Sequence, residues 1–137
     1  MDYDQGDSRN PMGMDGCLDW TASNNLGLNT IWNDHTDLHQ LWKSKYSDIS
    51  IPDFWVASAN AVVRITSDGA LDMRRTYYWG RSKADSCEGS ADRLPSSSSC
   101  REVEGTFLER MGLKWNDAVA LLGGHTLGQG HPEVSFS

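Results

Sequence analysis

His125 lies in the run D-A-V-A-L-L-G-G-H-T-L, Asp117 to Leu127, near the end of an apolar stretch and beside Gly123, Gly124 and Thr126. No acidic residue adjoins it, so the neighbourhood does not point to a proton shuttle. Glycines let a large flat group approach the backbone. A neutral imidazole can offer one nitrogen to iron as an axial ligand. A histidine that only complements the dipole at a helix end would carry the same local signature. His35 and His39 stand four residues apart beside Asp34. On one helix face that spacing can hold zinc, but no Glu follows the first His and no third ligand is evident. An exposed polar helix face is the competing reading. Cys87 and Cys100 flank a Ser-rich stretch that a disulfide between them would close, which leaves Cys17 unmatched. Three free thiols in a reducing compartment fit the same sequence, and no C-x-x-C marks a structural zinc site.

The elements that must position these residues read as helices joined by loops. Residues 1–25 are rich in Asp, Gly, Asn and Ser and are expected to be mostly loop. From Leu26 to about Lys45, apolar residues at 28, 31, 32, 38, 41 and 42 fall at helical spacing. Ser50 is a good N-cap, with Pro52 tolerated in the first turn and Asp53 three residues on. The helix it opens should run to about Ile65 and stop at T-S-D-G, Thr66 to Gly69. Met73 to Trp79 reads as a short extended segment, and 82–99 as an exposed polar loop. Arg101 to Met111 predicts a third helix closed by Gly112. Asn116 is the expected cap of a fourth, which ends at Gly123-Gly124. No internal repeat is visible.

The run around His125 resembles the proximal haem-ligand motif of the plant, fungal and bacterial haem peroxidases. The resemblance extends outward. R-L-P at Arg93 to Pro95 precedes F-L-E-R-M-G-L, Phe107 to Leu113, and H-T-L-G-x-x-H-P-E runs on to Glu133. That order is similar to the ascorbate peroxidase and cytochrome c peroxidase branch. W-G-R at Trp79 to Arg81 resembles the family's G-R turn, and I-S-I-P-D-F-W-V-A at Ile49 to Ala57 the helix before it. G-M-D-G-C at Gly13 to Cys17 resembles a variant of its distal calcium loop, followed by N-L-G-L at Asn25 to Leu28.

The resemblance implies a mainly α fold, a partial helical haem-peroxidase domain over 1–137 that is loop-rich to residue 25 and helical beyond it. It implies haem b held by His125 as the fifth iron ligand, with His131 against a propionate and Pro95 at the haem edge. It places Thr126 at a proximal cation site, and Asp15 with the Gly13 carbonyl at a calcium or other cation site, where the Cys17 thiol is a poor ligand. Asn25 matches the residue whose carbonyl orients the family's distal histidine. The distal Arg and His that activate peroxide have no counterpart, since no His precedes His35. The Asp that bonds the proximal His in the family lies farther downstream than Ser137. The chain therefore reads as the middle of a peroxidase. Its implied function is reduction of hydrogen peroxide by an unspecified electron donor, in response to oxidative stress. The alternative is a non-catalytic helical remnant with weak or no haem binding.

Bulk properties agree with a folding chain. Its 137 residues suffice for one small core, and 38% hydrophobic content with six Trp sets it apart from disordered sequences. A net charge of −7 and the lack of a basic patch argue against nucleic-acid and anionic-membrane partners. No run approaches the ~20 apolar residues needed to span a bilayer. The polar, acidic N-terminus resembles neither a signal nor a transit peptide, and secreted and cytoplasmic locations both remain open.

Overall fold

The computed structural model describes residues 5, 6, 13–84, 86, 87 and 99–126. Among them the regular elements are helical and no strand occurs, as expected for a mainly α chain. No described helix is long and apolar enough to cross a membrane. The chain divides into two compact units, Met14–Thr21 with Gly27–Cys87, and Met1–Gly13 with Ala22–Leu26 and Glu88–Ser137.

The first of these units is built on two helices, α1 (Asp37–Lys45) and α2 (Ile51–Thr66). α2 begins as the sequence predicts. The Ser50 hydroxyl accepts the Asp53 N–H at 3.3 Å and Pro52 occupies the first turn. It ends where T-S-D-G predicts, with the Gly69 N–H donating to the Arg64 carbonyl at 2.8 Å. Trp42 Nε1 donates to the Ile49 carbonyl at 2.9 Å, which ties α1 to the entry of α2. Phe54 is buried, and Trp32 sits among Trp42, Phe54 and Trp55 with ring centroids 5.2–6.0 Å apart. Gly16 lies against α2, where a Cβ would come within 2.9 Å of Pro52 Cδ.

The helix expected from Leu26 to Lys45 is much shorter, because side chains compete with the backbone before it. Leu28–Thr30 is a single 3₁₀ turn. Thr36 Oγ1 donates to the Asn33 carbonyl at 2.9 Å and accepts the Asn33 N–H at 3.1 Å, while Asn33 Oδ1 accepts the His35 N–H at 2.7 Å. These local bonds offer an alternative to helical pairing, so α1 starts only at Asp37. Met73–Thr76 is likewise a 3₁₀ turn and not an extended segment, capped by Asp72, whose Oδ1 accepts the Arg74 N–H at 3.1 Å.

In the second unit α3 (Cys100–Val103) runs into a π-helical segment, Glu104–Arg110, and α4 (Trp115–Leu122) packs against that segment. Thr106, Phe107 and Ala118 form its buried centre. Gly112 closes the π segment at φ +69, where its N–H donates to the Leu108 carbonyl at 3.0 Å. Gln5 binds the same turn through its N–H to the Arg110 carbonyl at 2.9 Å, and a Cβ on Gly112 would strike Gln5 Oε1 at 2.6 Å. Asn116 does not cap α4. The cap is Lys114, whose N–H donates to Asp117 Oδ2 at 3.1 Å, so Asn116 falls inside the first turn. The acid at the third helical position decided the start, a signal the sequence carried in Asp117.

Candidate functional site

α4 ends at Leu122, and the chain tightens into a 3₁₀ turn, Gly123–Thr126, that carries His125. The imidazole Nδ1 lies 3.1 Å from the Leu122 carbonyl. That contact fits a ring protonated on Nδ1, which keeps the Nε2 lone pair available to a metal. His125 is exposed, and open space surrounds the positions that a Cβ would take on Gly123 and Gly124. The helix leading to it exposes Val119, Leu121 and Leu122. An imidazole with one orienting bond, beside glycine backbone and an apolar surface, suits a large planar metal-bearing group. Thr126 Oγ1 donates to the Gly123 carbonyl at 2.7 Å, which uses the hydroxyl to close the turn.

A second set of interactions fixes the helix that the sequence marked by I-P-D-F. The Asp53 carboxylate, 4% exposed as a residue, accepts the Gly80 N–H at 2.8 Å, the Arg81 N–H at 3.2 Å and Arg81 Nη1 at 2.8 Å. Burial pushes its pKa up. The Gly80 bond, then the Arg81 guanidinium and N–H, outweigh burial and hold the carboxyl below its usual range. The Tyr77 hydroxyl donates to the Asp53 carbonyl at 2.8 Å, and burial with the Asp53 charge raises the Tyr77 pKa. The Arg81 guanidinium carbon stands 5.4 Å from the Tyr77 ring centroid. W-G-R was read in the sequence as a turn, but its link to Asp53 was missed. No local pattern signals that link, because the partners lie 28 residues apart.

The remaining expected residues fall as follows. Pro95 and His131 lie outside the described residues. Asp15 Oδ1 accepts the Cys17 N–H at 2.8 Å, Gly13 has φ +81, and no group of three His, Cys, Asp or Glu gathers among the described residues. Asn25 closes a 3₁₀ turn, its N–H donating to the Ala22 carbonyl at 2.9 Å. His35 sits in the turn before α1, so the pair does not share a helix face. His39 is not an exposed polar residue either, because its ring packs on Trp32 at 4.9 Å and Trp42 at 5.6 Å. The cysteine reading is corrected. Cys17 and Cys87 form a disulfide with Cα atoms 5.3 Å apart, and Cys100 is free and exposed at the start of α3. Closeness along the chain favoured Cys87 with Cys100, but the fold brings together residues 70 apart.

The described residues form a helical chain with an exposed, oriented imidazole at the end of α4. The peroxidase family model matches residues 10–136, and the chain belongs to the peroxidase family. It is 34% identical to L-ascorbate peroxidase 5, peroxisomal, of Arabidopsis thaliana over 93 residues, 68% of this chain and 31% of that protein. It is 34% identical to L-ascorbate peroxidase 3 of the same plant over 99 residues, 72% of this chain and 33% of that protein. It is 31% identical to the probable L-ascorbate peroxidase 4, peroxisomal, of Oryza sativa subsp. japonica over 117 residues, 85% of this chain and 37% of that protein. The chain thus spans about a third of the length of these relatives. No solved structure matches it significantly.

Proposed function

We propose that this chain supplies the proximal part of a haem-dependent peroxidase, in which His125 would hold the iron of haem b. The observation that carries the reading is the 3.1 Å contact between His125 Nδ1 and the Leu122 carbonyl, which orients the ring and leaves Nε2 for iron. Gly123 and Gly124 leave open space that would admit such a group, and the exposed Leu122 would offer it apolar surface. Haem held there would supply the redox chemistry between hydrogen peroxide and an electron donor. This chain's own part is to bind and orient. The Leu122 carbonyl fixes the tautomer, and the 3₁₀ turn holds the ring at the helix end. Thr126 locks that turn through its bond to Gly123. His131 and Pro95 are proposed to meet a propionate and the haem edge. The cation sites proposed at Thr126, and at Asp15 with Gly13, are secondary to this reading. The relatives carry ascorbate in their names, so ascorbate is the first donor to test. No residue of this chain is assigned the distal acid–base role, a contribution typically worth about 10²–10⁴-fold in rate.

The test is a haemin titration of the whole chain followed through the Soret band. His125→Ala should abolish the Soret shift, while His35→Ala, in an exposed turn, should leave it intact. Equal spectra for both variants would remove the ligand assignment.

A further inference from the structure

The unit built on α1 and α2 contains a half-open cavity of about 740 Å³, within the range of small-molecule sites. None of its described lining residues belongs to the unit that carries His125, and no part of the peroxidase reading uses it. Two stretches of its lining, Gly16 to Leu18 and the residues Lys83, Ala84, Ser86 and Cys87, are joined covalently by Cys17–Cys87, and the Ala84 N–H donates to the Asp15 carbonyl at 3.1 Å beside them. Trp20, Trp32 and Trp55 line it with three indole rings. Among the described lining residues stand one carboxylate, Asp34, and one ammonium, Lys83. Asp34 lies 3.4 Å from His39 Nδ1 and is 80% exposed, and Lys83 is exposed with no ion pair among the described residues.

This combination selects a ligand. Indole faces favour a planar ring, and they also attract an ammonium group. A simple aromatic anion would meet Lys83 but be repelled by Asp34 and by a chain of net charge −7. A simple aromatic cation would meet Asp34 but be repelled by Lys83. A zwitterion with an aromatic side chain satisfies both charges and adds none. We propose that this cavity binds a free aromatic amino acid, its ring among the tryptophans, its carboxylate toward Lys83 and its ammonium toward Asp34.

The full chain, nitrogen-labelled and with its disulfide intact, is titrated with L-phenylalanine while the indole N–H resonances are followed, and calorimetry supplies the affinity. Phenethylamine lacks the carboxylate and 3-phenylpropionate the ammonium. Saturable shifts at the cavity tryptophans are expected with L-phenylalanine, and each analogue should bind about three- to tenfold more weakly. Lys83→Gln should erase the difference between phenylalanine and phenethylamine. Asp34→Asn should erase the difference between phenylalanine and phenylpropionate. Both positions are exposed, so neither variant tests folding instead. Absence of a saturable shift, equal binding of all three molecules, or an unchanged ranking in both variants would overturn the proposal.

Discussion

Asp53 and Arg81 lie 28 residues apart, yet Arg81 Nη1 meets Asp53 Oδ1 at 2.8 Å inside a node that also takes the N–H groups of Gly80 and Arg81. The side chains are 6% and 24% exposed, so the pair is largely shielded from water. It fixes the turn after the 3₁₀ segment to the first turn of α2. Removing one partner of such a pair leaves a buried charge or buried N–H groups without a match, which typically costs about 3–5 kcal/mol. Asp53→Ala should lower stability by roughly 3 kcal/mol in urea unfolding, against a typical total of about 5–15 kcal/mol. A loss within about 0.5 kcal/mol, the scale of an ordinary surface substitution, would show that the node contributes nothing.

The same carboxylate sets an acid dependence. The Asp53 pKa is lowered in the folded chain, so the folded state holds its proton less tightly than the unfolded state does. Its contribution is complete above the unfolded value of about 3.9 and falls as pH drops below that toward the folded value. Asp72, held at about 2 by Arg74, titrates in the same direction but lies at the surface, where screening weakens the effect. Urea midpoints measured between pH 6 and pH 2.5 should decline below about pH 4 in the parent chain. The decline should be shallower in Asp53→Asn, and parallel curves would assign the acid loss to other groups.

The cysteines give a direct chemical check. With Cys17–Cys87 formed, a thiol reagent should label only Cys100 in the native chain and all three cysteines after reduction and unfolding. Closing a loop of this length is worth about 4 kcal/mol in the chain-entropy treatment. Cys17→Ser should therefore lower the urea midpoint substantially, whereas Cys100→Ser, at an exposed helix start, should not. Labelling that pointed to Cys17 as the free thiol would restore the Cys87–Cys100 pairing.

What could be read in the sequence followed the range of the forces involved. The start of α2 rests on Ser50, Pro52 and Asp53 within one turn, and its end on Gly69, so both were legible. So was the helical run up to Gly123. The long helix before Lys45 was misread because apolar spacing at 28, 31 and 32 suits a helix, while Asn33 and Thr36 divert the backbone through their own side chains. Asp53 with Arg81 and Cys17 with Cys87 depend on contacts 28 and 70 residues apart, which no local pattern reports. Of the candidate haem site, the His125 type and its glycine neighbours were visible. The orienting bond to the Leu122 carbonyl needed the turn geometry.

The face of α4 makes the last prediction. Ala118 is fully buried against the rest of its unit, but Val119, Leu121 and Leu122 are 64%, 54% and 37% exposed. Each such side chain is worth roughly 1.5–3 kcal/mol when fully buried, so the helix that leads to His125 has unused burial around its exposed sides. Exposed apolar patches favour dye binding and self-association. In the haem-binding reading the bound group covers part of this surface, and a ligand that binds only the folded state raises its stability by mass action. The chain without haemin should bind an apolar fluorescent dye, and haemin should displace dye and raise the unfolding midpoint. Leu121→Glu should reduce dye binding while leaving Ala118 and the packed side of α4 undisturbed. In His125→Ala the midpoint should no longer respond to haemin. A sharp, high-temperature transition in a monomer that binds no dye would mean that this face is not sticky in solution, and the surface proposed to receive haem would have to be sought elsewhere.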